Sequence, residues 1–388
     1  MALLVGVLIL LALRAAPFVE AGDVTVKDRA GLESALAAAR PGTRIRLAPG
    51  DYAGGLSFRD VAGSEAKPIV VVAADPAHPP RIVGGTNGIQ LSDVAHLTLE
   101  DLVFTGATGN GINIDDAGTL DTPSHHVTLR RVTVSDVAAP GNHDGIKLSG
   151  LDDFRLEECR VEGWGGQGVD MVGCRRGVIE RCRFAQRDVR GTAGVQAKGG
   201  SSGIVVRDCT FNAAIDRGVN LGGSTGLAYF RPKVLGYEAK DLVVEGCVFD
   251  GCQAAVAFVG VDGAVVRFNT IHRPGRWAMR ILQETTDAAF VPSRGGVFED
   301  NIVVFRSDRW SEGGVNVGPK TAPETFRFAR NVWYCEDRPE RSRPTLPTKE
   351  IDGVVGKDPT FKDPEKGDFG LKPGSPAAGR GSTARRDR

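Results

Sequence analysis

The chain has no excess of either charge. Its 48 basic residues balance 48 acidic ones and the formal net charge is zero, which argues against wholesale binding to nucleic acid or to an anionic membrane surface. It offers no comfortable membrane span either. The apolar run Leu3–Leu13 is soon interrupted by Arg14 and falls short of the roughly 20 residues a spanning helix needs. Helical stripes are missing between the apolar segments further on. The connections of Gly, Asp, Ser and charged residues are too short for crossover helices, which excludes a doubly wound α/β sheet.

What is present is a repeat. Nine copies of a short apolar-polar-apolar strand, usually opened by Gly, run from Gly88-Ile89-Gln90-Leu91 through Gly145-Ile146-Lys147-Leu148 and Gly168-Val169-Asp170-Met171 to Gly314-Val315-Asn316-Val317. Each is followed by an eight-residue phrase, such as Leu97–Phe104, Phe154–Val161 or Leu242–Phe249. A period of about 22 to 38 residues belongs to solenoids. Alternation buries one face of every strand, so the chain must coil, each turn laying its strands on those of the turn before. The expected fold is all-β: a right-handed parallel β-helix of one chain, with about nine full rungs and a few more at the ends.

The sixth position of the second phrase reads Leu102, Val132, Cys159, Cys182, Cys209, Cys247, Asn269, Asn301, Asn331. In a solenoid this column stacks at roughly 4.8 Å, where Asn side chains form a ladder and thiols fill the same buried slot. Four of the seven cysteines thus become small buried hydrophobes rather than disulfide or metal partners.

Leu3–Leu13, with no acidic residue before Glu20 and small residues up to Ala21, reads as a secretory signal over 1–21. The expected location is outside the cytoplasm: extracellular, periplasmic or at the cell surface. A retained anchor is the alternative, since no Lys or Arg precedes the apolar run. The β-helix should occupy 22–378, starting with a short amphipathic capping helix within Asp28–Arg40. The polar, basic stretch 379–388 should fray.

Pro41-Gly42-Thr43-Arg44-Ile45-Arg46-Leu47-Ala48-Pro49-Gly50-Asp51-Tyr52, then Lys67-Pro68-Ile69-Val70-Val71, resembles the start of many secreted bacterial parallel β-helix proteins. The resemblance is strongest to polysaccharide lyases of the chondroitinase-B and alginate-lyase type, with a pectate-lyase-like fold. Asp358-Pro359-Thr360-Phe361 and Leu371-Lys372-Pro373-Gly374-Ser375-Pro376-Ala377 resemble a tail common in the same group. The family implies a Lys base with an Arg partner on one outer face, and a calcium site built from Asn and Glu. The segments that bear those residues have no counterpart here, so no role is carried across.

The outward column of the first strand supplies the candidates: Gln90, Asn113, Lys147, Asp170, Gln196, Asn220, Ala257, Arg280, Asn316. Just before the Gly runs a second column that includes Asn87, Asn110, Asp144, Gln167, Arg217 and Trp277. The excursion Thr225–Lys240, carrying Tyr229 and Arg231, leaves on the same side and should wall a groove. An acidic polysaccharide is the expected partner, and a monomer the expected state.

β-Elimination on a uronate needs a base for the proton α to the carboxylate and cations for the developing enolate. Lys198 is the preferred base, followed by Gly199-Gly200 that would let substrate approach closely. Lys147 is the second candidate, and crowding of like charges should lower one lysine's pKa. Arg217 and Arg231 would neutralise the carboxylate, and Tyr229 would stack or donate a proton. Asn220, Arg280, Gln196 and Trp277 complete the expected binding surface. A glycoside hydrolase using Asp144 and Asp170 is the alternative, at carboxylate separations of about 5–5.5 or 6.5–9.5 Å. For Asp144 the competing reading is a turn cap. Calcium is possible between Asp144 and Asp170 but required by nothing in the sequence. A non-catalytic glycan-binding scaffold is the third reading, and His125-His126 is read as a solvated turn.

Overall fold

The computed structural model describes residues 22–137, 141–186, 192–212 and 215–386. The expected signal over 1–21 lies outside the described residues. No described helix is long and apolar enough to cross a membrane.

Three parallel sheets of 10, 12 and 15 strands stack along one axis. The Gly-opened strands form sheet one, from Leu56–Arg59 to Val315–Val317. The eight-residue phrase turns out to be two strands, as in Ala95–Glu100 of sheet two and Val103–Thr105 of sheet three. They part at a left-handed residue that recurs rung after rung: Asp101 (φ 56°), Arg131 (49°), Glu158 (56°), Arg181 (53°) and Asp208 (54°). Charged side chains hold most of these corners, with Phe268 (φ 53°) taking the same place on a later rung. Their alternating signs pair between rungs, as where Arg131 Nε donates to Asp101 at 2.7 Å. The following residue points inward and resumes the core.

That inward column is a continuous hydrogen-bonded line. Cys247 N–H donates to Asn269 Oδ1 at 2.9 Å, Asn269 Nδ2 to Asn301 Oδ1 at 3.0 Å, and Asn301 Nδ2 to Asn331 Oδ1 at 3.1 Å. All three amides are fully buried, where an unpaired one would cost about 1–3 kcal/mol. Cys159, Cys182 and Cys209 extend the line as free, buried thiols, like the other four cysteines. Beside them Phe184, Phe211 and Phe249 stack at 4.9 and 4.8 Å between ring centroids.

Both ends are closed. Helix α1 (Arg29–Ala37) is capped by the Asp28 carboxylate, which accepts from Gly31 N–H at 2.8 Å, and buries Leu32 and Leu36 over the first rung. At the other end Phe361–Asp363 pairs antiparallel with Asp368–Leu371, and Phe361 and Phe369 pack on Ile302 and Val332. The stretch expected to fray is largely docked: α2 (Gly381–Arg386) opens at Gly381, whose N–H donates to Asp300 O at 2.9 Å, and Ser382 is buried against Thr270. Side chains hold this segment as well as backbone: Arg380 Nε donates to Arg330 O at 2.6 Å, and Ser382 Oγ lies 3.0 Å from Thr270 Oγ1.

Candidate active site

Register places the sheet-one candidates as the columns require. Asp170 pairs with Lys147 on one side and Gln196 on the other, and Lys198 lies opposite Val172. Residues at i and i+2 share a face, so Lys147, Asp170 and Lys198 project together. Asp170, fully buried, takes an ion pair from Lys147 Nζ and lies 3.5 Å from Lys198 Nζ, both through Oδ2. Asp144 Oδ2 approaches Lys147 Nζ at 3.4 Å.

Asp144 has two jobs. Its Oδ1 accepts the Gln167 N–H at 2.8 Å, continuing a ladder in which Asn87 caps Asn110 and Asn110 caps Asp144. The turn-cap reading is therefore right for one oxygen. The other points at Lys147 and has no hydrogen-bond partner. Burial, with the Asp170 charge adding to it, pushes Asp144 up to about 6. An Asn caps each of the two preceding rungs in the same way, so capping alone does not require a carboxylate here.

The expected lowering of a lysine pKa fails for Lys147. Burial works in that direction, but the charges of Asp170 and Asp144 outweigh it and leave Lys147 above its ordinary value. Carboxylates, not other cations, are its nearest neighbours. The same geometry decides the calcium question: Lys147 Nζ sits between the two carboxylates, where a cation would have to lie, and the six to eight oxygens calcium needs are not gathered there. These residues do not fit a calcium site.

The excursion after Arg217–Gly222 folds back to wall a cleft of about 420 Å³, lined among others by Lys147, Ser149, Lys198, Thr225, Tyr229 and Arg231. Glu238 holds its base. That fully buried carboxylate accepts from Gly199 N–H at 3.0 Å, Thr225 N–H at 2.9 Å, Thr225 Oγ1 at 2.7 Å and also Thr285 Oγ1. Sequence reasoning passed over Glu238. Arg231, expected to grip substrate, grips Asp116: its Nη1 lies 2.5 Å from both carboxylate oxygens. The glycines after Lys198 also serve the loop rather than a substrate. A Cβ on Gly200 would meet Arg231 O at 2.9 Å, and one on Gly173 would meet the Arg231 side chain. Tyr229 is 69% exposed at the rim, free to meet a ligand.

The remaining candidates form a second group outside the cleft lining. Arg217 donates to Asn220 Oδ1 at 3.1 Å and to Glu284 at 2.9 Å, so it is already engaged. Arg280 donates to Asn316 at 3.0 Å, and burial, then Arg217, lowers its pKa. Trp277 is buried, with Arg276 and Arg280 over its ring at 4.2 and 4.6 Å. It cannot stack on a sugar while the arginines cover it. Gln196 is buried beside Gly223.

A family profile described as the right handed beta helix region matches residues 81–231 and, overlapping, 120–294, more than half of the chain. The chain belongs to this family. No curated protein matches it. Among solved structures it is similar to an alginate lyase from Paenibacillus sp. str. FPU-7, with 17% identity, a TM-score of 0.55, and coverage of 76% of this chain and 99% of that one. It is also similar to pectate lyase Pel9A, with 14% identity, a TM-score of 0.51 and coverage of 77% and 73%. A GH136 lacto-N-biosidase from Eubacterium ramulus matches with 12% identity, a TM-score of 0.55 and coverage of 86% and 68%. At these identities the likeness is one of fold.

Proposed function

We propose that this protein is an exported carbohydrate-active enzyme that cleaves a uronate-containing polysaccharide by β-elimination in the cleft beneath the Thr225–Lys240 loop. The observation that carries this reading is the pair of lysines on one buried carboxylate, Lys147 and Lys198 on Asp170, at the floor of an open cleft. Similar folds include lyases of alginate and of pectate, which agrees with it.

The two lysines have different work. Lys147, held cationic by Asp170 and Asp144, neutralises the substrate carboxylate and the enolate that develops on it. Lys198, bound less closely to Asp170, takes the proton α to that carboxylate. The electron pair left on carbon forms the double bond as the bond to the leaving sugar oxygen breaks. Tyr229 at the rim gives that oxygen its proton. Arg231 acts indirectly, latching the loop to Asp116.

Burial weighs against the hydrolase reading. Asp144 and Asp170 are 1% and 0% exposed beneath the lysines, out of reach of a glycosidic oxygen. Incubation with alginate, pectate and chondroitin polymers separates the readings. Unsaturated ends absorbing in the ultraviolet support elimination. New reducing ends without that chromophore would overturn it in favour of hydrolysis, and retention without turnover would leave a binding protein. Export over 1–21 is tested by N-terminal sequencing of protein secreted from a bacterial host; an intact leader on the product would refute it.

A further inference from the structure

Three of the six histidines in the chain meet at one place, none of them lining the cleft. His96 and His126 occupy equivalent corners of adjacent sheet-two rungs, since His125 pairs with Ala95 and Val127 with Leu97. Consecutive residues of a strand normally point to opposite faces, which would separate His125 from His126. The corner prevents it. His126 has φ 53° and His96 φ 48°, as the same corner has at Asp153 and Arg176 on the next rungs. The left-handed residue interrupts the alternation and turns both neighbours to one side, so that His125 Nδ1 lies 2.9 Å from His126 Nδ1. The His96 ring stacks on His126 at 4.5 Å between centroids and meets His125 edge-on at 5.2 Å.

We propose that His96, His125 and His126 form a binding site for a borderline transition-metal dication of the zinc, nickel or copper class. One nitrogen from each ring lies within 4.8 Å of the others. Tetrahedral coordination with metal–nitrogen bonds of about 2.0–2.1 Å sets nitrogens about 3.3 Å apart, so a modest swing of the exposed His126 ring off its stack closes the site. Imidazole ligands select this class over calcium and magnesium, which take oxygen. Three protein ligands leave the fourth position to water or to an external ligand. Glu65 and Asp153 lie close enough to interact electrostatically with the cluster, Asp153 while also paired with Arg176.

The test is isothermal titration of the tag-free full chain with zinc, alongside nickel, calcium and magnesium. One zinc per chain is expected, with nickel competing and calcium and magnesium inert. His126→Ala, at an exposed position, should fold normally and weaken zinc binding about tenfold or more, while His78→Ala, away from the cluster, should leave it unchanged. Histidine ring resonances followed by NMR should move for three residues on addition of zinc. Absence of saturable binding to the parent chain, or affinity equal to the parent's in both His126→Ala and His96→Gln, overturns the proposal. Neither result depends on turnover, so failure here is separate from failure of the lyase reading.

Discussion

Two stretches of the same outward face show what the cleft costs. On the early rungs the polar groups satisfy one another: Asn87 and Asn113 donate to Gln90 at 3.1 and 2.8 Å, Asn110 to Asn113 at 3.0 Å, and Gln90 to Asp115 at 2.9 Å. On the rungs that follow, the equivalent columns hold Asp144, Lys147, Asp170 and Lys198, and Asp144 Oδ2 and Asp170 Oδ1 have no hydrogen-bond partner. Backbone, register and strand length are shared. The first stretch is arranged for stability and the second holds charge under strain, the usual mark of a site that does something.

The largest effect expected from breaking that contrast is on turnover. Lys198→Ala should lower cleavage of a parent substrate by about 10²–10⁴-fold, the usual worth of a general base, in a chain that still unfolds in one cooperative transition. Full activity in a folded variant would move the base elsewhere. Next comes Asp170→Asn, which removes the buried anion paired with Lys147 and 3.5 Å from Lys198. Loss of one partner from a buried ion pair costs about 3 kcal/mol, read as a lower denaturant midpoint at unchanged slope.

Asp144→Asn sharpens the comparison in the other direction, because it extends the asparagine ladder into the cleft. The folded-state pKa of Asp144 is raised from 3.8 to about 6, so between these values the folded state binds the extra proton. The stability this carboxyl allows is therefore fully present below about pH 4 and declines as pH rises through 6. The variant should match wild type at low pH and exceed it at pH 8 by up to about 3 kcal/mol, since each tenfold change in proton affinity is worth roughly 1.4 kcal/mol, while losing turnover. A variant less stable than wild type at pH 8 would contradict the assignment. The smallest effect belongs to the early rungs: Asn113→Ala should cost about 1 kcal/mol and leave turnover intact, as a chemical denaturation curve and a cleavage assay would read.

How much was legible follows the repeat. Asn269, Asn301 and Asn331, or Lys147 beside Asp170, could be read in advance because one rung indexes the next. Arg231 could not: its partner Asp116 is 115 residues away, and no period describes how an excursion returns. Trp277 looked available for a different reason: its neighbours Arg276 and Arg280 are close in the chain, but a column does not show which way their side chains close. Glu238 lay in the loop thought to wall the cleft, and only folding reveals that its carboxylate gathers the loop ends.

The sequence by itself determined the coil, the inward ladder and which side chains share the outer face, because alternation and period are properties of a line of residues. Only the tertiary structure decided which of those side chains are charged, paired or reachable. Lys147 is held cationic by Asp170 and Asp144, and Asp144 is pushed up by burial and then by Asp170 on the next turn; such effects depend on exclusion of water and on distance through space rather than on position in the chain.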